Sequence, residues 1–164
     1  MRTDEEIREI QKEEIREAFR LKIGRDGLIL TRQTINAFSD GQPLTKEVVN
    51  KIAEAVDENI QLRDWFLGGV DEFSLGIMGE FVEAILSEEL LDEKYAHHFL
   101  TILSAYYMEA GENEKAFLAL VESKQRKSDY SLTDLLMDIC MRGGSPTMWA
   151  TMRADLHKKV IANL

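Results

Sequence analysis

The chain has 164 residues, 45% of them apolar, only two prolines and a net charge of −10. That length supports one domain with its own core, and a composition led by Leu, Ile, Glu and Ala with few β-branched runs points to an all-α fold. A surface this acidic repels phosphate backbones and anionic lipid, which argues against direct nucleic-acid or membrane contact.

From the N-terminus, "MRTDEEIREIQKEE" is too charged for a signal peptide, and no apolar run approaches the roughly 18 residues a membrane span needs. The cytoplasm is the expected compartment. Residues 4–22 predict a charged helix with Ile7, Ile10, Ile15, Ala18, Phe19 and Leu21 on one broad face. Acid–base pairs one turn apart support it, among them Glu9–Lys12, Glu13–Arg16 and Glu17–Arg20. Such a helix packs on the body of the protein or pairs with a second copy; packing on the body is the commoner outcome. "KIGRDGLIL" then predicts a Gly/Asp turn and a short extended piece at Leu28–Leu30, before a short helix from Thr31 or Gln33 to Phe38. "SDGQP" is a loop.

Thr45 caps a helix to about Ile60 that carries Val48, Val49, Ile52 and Val56. "LRDWFLGGVDEF" predicts a short helix broken at Gly68-Gly69. Ile77, Met78, Phe81, Val82, Ile85 and Leu86 form the next stripe. Asp92 caps a helix bearing Phe99, Leu100, Leu103, Tyr106 and Tyr107, which stops at Gly111. Ala116, Phe117, Leu120 and Val121 mark the following helix. Ser131 with Asp134 predicts a capped helix over Leu132–Met141, ended by Gly143-Gly144. Ser145-Pro146 opens the last, which carries Trp149, Met152, Leu156 and Val160.

About seven helices result. Residues 1–60 form the charged helix plus a helical subregion, and 61–164 a helical-hairpin region, within one compact domain. Gly79, Gly111 and Gly144 stand 32 and 33 residues apart, the period of helical-hairpin repeats, and "GEFVEAIL" and "GENEKAFL" read alike after the first two.

Motifs for chemistry are scarce. Setting Gly27 as the glycine of a calcium loop places Lys22, Gly24, Asp26 and Gln33 at ligand positions, too few carboxylates for a hard cation. His97 and His98, with Glu93 a turn earlier, make at most half a metal site and read as a surface histidine pair. His157, beside Asp155, does not complete that site. Cys140 excludes an intrachain disulfide and lies on an apolar stripe as a small core residue. Glu88-Glu89 and Asp92-Glu93 read as solvated helix ends. No phosphate loop, nucleophile elbow, HExxH or CxxC occurs, so no enzyme, cofactor or metal is expected.

Three segments, "RDWFLGG", "AYYMEAGENEKA" and "DYSLTDLLMDICMRGGSPTMW", together resemble the C-terminal helical part of an uncharacterised family found mainly in actinobacteria. The matching residues are Arg63-Asp64, Gly111, Ala116, Tyr130-Ser131-Leu132, Leu135-Leu136, Gly143 or Gly144, Pro146 and Trp149. The likeness runs from Arg63 to about Met152; residues 1–60 match poorly. It implies a helical domain of tetratricopeptide-like character and an actinobacterial or actinobacteriophage source. It carries over no activity.

The expected function is therefore a non-enzymatic helical module that binds protein. Arg63, Asp64, Tyr106, Tyr107 and Trp149 are its candidate groove residues, with core packing the plainer reading for Tyr106, Phe117, Tyr130 and Trp149. The 4–22 helix is the candidate homo-oligomer contact. The alternative is an acidic inhibitor or nucleic-acid mimic, phage-encoded, aimed at a basic host protein.

Overall fold

The computed structural model describes residues 1–87, 89–143 and 145–163, with side chains as far as Val160. Glu88 of the acidic pair and Gly144 of the glycine series lie outside the described residues. Among those described there are eight α-helices and no strand, so the all-α expectation holds, with eight helices rather than about seven. They are α1 (Asp4–Ser39), α2 (Lys46–Glu58), α3 (Ile60–Gly68), α4 (Leu75–Ser87), α5 (Ala96–Glu109), α6 (Asn113–Arg126), α7 (Ser131–Met141) and α8 (Pro146–Asn163). Two 3-10 turns, Gly69–Asp71 and Glu93–Tyr95, precede α4 and α5. No helix is long and apolar enough to cross a membrane among the described residues.

The largest departure from expectation is α1. It is one unbroken helix of 36 residues, about 54 Å long, where the sequence predicts a helix to 22, a turn, an extended piece and a second helix. Gly24 and Gly27 are not turn residues. They sit buried where α1 crosses the α2–α3 corner, and a Cβ on either would lie within 2.6 Å of Asn59 or Ala55 atoms. Asn59 locks the crossing: its Oδ1 accepts from the Gln61 and Leu62 amides, capping α3, while its Nδ2 donates to the Arg20 carbonyl at 2.8 Å. The same cap separates α2 from α3, close to the expected boundary between the 45–60 helix and the short helix that ends at Gly68. The residues proposed for a calcium loop all lie on α1.

Upstream of the crossing, α1 leaves the body. Every residue from 4 to 20 is exposed, including Ile15 (69%) and Phe19 (63%), so the expectation that this stretch packs on its own chain is corrected. Local terms hold it. Thr3 and Glu6 form a reciprocal capping box, and the Glu9–Lys12, Glu13–Arg16 and Glu17–Arg20 pairs form at 3.2, 2.6 and 3.3 Å.

In the body, α5 is the central helix. Every residue from Ala96 to Tyr106 is buried, as expected of a helix surrounded on all sides, and α3, α4, α6, α7 and α8 pack around it. Trp65, Phe66, Phe81 and Phe99 are fully buried, with edge-to-face contacts from Phe66 to Trp65 (5.4 Å) and to Phe99 (5.8 Å). Cys140 is half-buried against this core. The outer helices are wetter than their stripes suggest: Phe117 (38%), Leu135 (53%) and Met152 (43%) are exposed, which corrects the core reading of Phe117.

Local signals fare unevenly. Thr45 and Ser145 cap as expected. Ser131 does not: it is the first residue of α7, and the capping position is held by Tyr130 without a side-chain bond. Gly111 has φ +80° and ends α5 as expected, whereas Gly79 lies inside α4. The two glycines are not equivalent, so their spacing is not a structural period.

Candidate functional site

The first turn of α5 is set in place by the loop before it. The Asp92 carboxylate accepts from the Lys94 amide. Asn50 of α2 accepts from the Asp92 amide at 2.8 Å and donates to the Leu90 carbonyl at 2.9 Å. His97 and His98 follow. They are 4% and 6% exposed, which overturns the surface pair. The last turn of α2 and the α6–α7 connection close over this turn of α5, and neither neighbour is visible in local sequence.

The two imidazoles lie 4.1 Å apart, and both stand edge-on to the Tyr130 ring. His98 is bridged at both ends. Its Nδ1 is 2.9 Å from the Tyr130 hydroxyl and its Nε2 is 2.8 Å from Asp57 Oδ1. Arg63 extends the chain of contacts, donating to the Tyr130 hydroxyl at 3.4 Å and through Nε and Nη2 to Asp64 at 3.1 and 2.9 Å. Arg63 and Asp64 are thus brought together with His98 and Tyr130, but as a largely buried ion pair with side chains 12% and 18% exposed. They do not line an open groove. Behind His97, the buried hydroxyls of Thr101, Ser123 and Thr133 lie within 3.1 Å of one another, and those of Thr101 and Ser123 lie within hydrogen-bond reach of the His97 carbonyl, so their three protons are shared among these contacts. This ties α5, α6 and α7 together at one point.

Burial shapes the protonation states. It pushes His97 down to about 4, helped by the charges of His98 and Lys127 and opposed by Asp57 and the Lys94 carbonyl. Burial also lowers His98, against the hydrogen bond and charge of Asp57, with Arg63 and Lys127 adding to the depression. Tyr130 is raised by burial despite Arg63. Neutral imidazoles are therefore the native form. An unfolded histidine titrates near 6.5, so as pH falls below that value the unfolded state takes protons that the folded state refuses. Stability is complete above about pH 7 and declines toward pH 4. Between pH 7.5 and 5.0 His97 alone is expected to lower the unfolding free energy by about 2 kcal/mol. Urea midpoints at the two pH values check this; identical midpoints would contradict a neutral, buried His97.

The remaining groove candidates lie elsewhere. Tyr106 is buried and donates to the Phe66 carbonyl at 2.5 Å. Trp149 is also buried, so both belong to the core. Tyr107 is half-buried, donates to Glu83 at 2.8 Å, and carries Lys115 over its ring. Glu83 lines a cleft of about 840 Å³ between α4, α5 and α6, with Leu86, Leu100 and Leu103 on its floor and Glu93 and Glu122 on its rim. A second groove, about 700 Å³, runs between α1 and the α2–α3 corner and includes Asp57 but neither histidine.

Sequence reasoning missed Asp57 and Tyr130 as partners of His98 because they lie 41 and 32 positions away. The adjacent histidines were the one legible signal. No protein-family model, curated protein or solved structure matches the chain.

Proposed function

We propose that the chain is a non-enzymatic helical protein-interaction module, and that its contact element is the projecting half of α1, paired antiparallel with the same helix of a second copy. The observation that carries this reading is the exposure of every residue from 4 to 20 on a capped, intact helix bearing Ile7, Ile10, Ile15 and Phe19. Exposed apolar side chains grouped on one element mark contact surfaces. Charge selects the partner and its direction. Within the projecting residues, 4–14 hold six acids and two bases, net −4, and 15–20 one acid and two bases, net +1. An antiparallel copy sets each acidic end against a weakly basic one over about 26 Å. The acidic-mimic reading has less support, since Glu9, Glu13, Glu17, Asp26 and Glu122 each pair with a base one turn away.

Light scattering over a concentration series tests this. The full chain is expected at twice 18.8 kDa, with the dimer weakened by salt, and a chain lacking residues 1–19 at its monomer mass. A full chain that stays monomeric throughout, or a shortened chain that stays dimeric, would reject α1 as the contact.

A further inference from the structure

The geometry points to a binding site for one divalent transition-metal ion of the zinc class, with Asp57, His97 and His98 as its ligands. This goes beyond the interaction role and does not depend on it. Each residue offers one donor atom, and the three donors lie within 4.8 Å of one another. Two imidazoles and a carboxylate are a donor set that suits zinc and its neighbours rather than magnesium or calcium.

The distances fit with small adjustment. Two donors on one tetrahedral ion with bonds of 2.0–2.1 Å stand about 3.3 Å apart. Asp57 Oδ1 and His98 Nε2 are at 2.8 Å, so an ion replacing the proton of that bond would widen it by about half an ångström. Even the widest donor separation in the cluster, 4.8 Å at most, needs to close by no more than about 1.5 Å.

The outer contacts are also of the kind that orient metal-bound imidazoles. His98 Nδ1 faces the Tyr130 hydroxyl, and His97 bonds to the Lys94 carbonyl. On binding, the single proton of neutral His98 moves from Nε2 to Nδ1, and the Tyr130 hydroxyl turns to accept it. The Asp57 side chain is 47% exposed, so an ion reaches the site from solvent without opening the core, and water can complete its coordination. Arg63 and Lys127 place positive charge nearby. They disfavour ions held by charge alone and leave the advantage to those that bond well to imidazole nitrogen.

Cobalt(II) titration of the full chain is the test, with zinc(II) as competitor. One equivalent of cobalt should raise visible d–d bands, and zinc should abolish them. Asp57→Asn keeps an oxygen to accept from His98 and so preserves the fold; it should weaken cobalt binding at least tenfold, as should His97→Gln. Glu47→Gln, an exposed change on the same helix, should leave binding unaltered. Circular dichroism confirms that each variant is folded. Absence of d–d bands, or equal affinity in the parent and in Asp57→Asn, would overturn the site and leave only scattered surface carboxylates.

Discussion

Gly27→Ala is expected to lower the unfolding free energy by about 2–3 kcal/mol, while the same change at Gly79 raises it by about 0.5–1 kcal/mol. At Gly27 the added methyl would lie 2.6 Å from Ala55 Cβ and 2.8 Å from Leu62 Cδ2. Ala55 has no rotamer to move, and Leu62 is fully buried, so relief requires α1 to back away from α2 and α3. That would also disturb the Asn59 bond to the Arg20 carbonyl, about two turns nearer the N-terminus. At Gly79 nothing lies within 4 Å of the new Cβ, and only the helix-propensity gain of alanine remains. Urea denaturation of the two variants against the parent reads both signs. A neutral Gly27→Ala would mean that the crossing is looser than described.

Arg153→Met should cost about 3–5 kcal/mol. Arg153 of α8 donates to Glu109 of α5 and to Asp71 before α4, at 2.5 and 2.7 Å. The Arg153 and Glu109 side chains are only 12% and 11% exposed. Burial works against the guanidinium, and its two carboxylate partners outweigh that and hold it firmly charged. Removing the arginine strands Glu109 in a place it cannot hydrate. The double variant Arg153→Met with Glu109→Gln removes the stranded charge, and it should recover most of the loss. Thermal unfolding of the single and double variants separates the cases: equal losses in both would mean that Glu109 is not desolvated in the fold.

Features governed by local sequence were legible, and those made by distant packing were not. Periodicity and caps place α2 to α8 within a few residues, because Thr45, Gly111 and Ser145-Pro146 act on their own backbone. Gly24 and Gly27 were misread because a glycine that admits a neighbouring helix and one that makes a turn look alike in sequence. What distinguishes them is Asn59 and Ala55, more than 25 positions away. The histidine cluster fails in the same manner. An adjacent pair on a helix is ordinarily half-solvated, and only α2 and the chain before α7 bury it. Arg63 and Asp64 were singled out through a family likeness, and they do adjoin that cluster, though as a buried pair rather than as groove walls. Tyr106 and Trp149 are large aromatics on apolar stripes, and their burial follows from the plainer reading.

The division of α1 into an anchored and a free half has a thermodynamic consequence. The anchored half shares the cooperative transition of the bundle, because Leu28, Thr31 and Ile35 are buried with it. The free half draws only on its capping box and ion pairs, each worth a fraction of a kcal/mol to about one. Its helix–coil equilibrium is therefore nearly decoupled from global folding. A second copy docking there would supply the ordering free energy of those turns itself and would perturb almost nothing in the body, so the rod could pair and unpair while the bundle keeps one conformation.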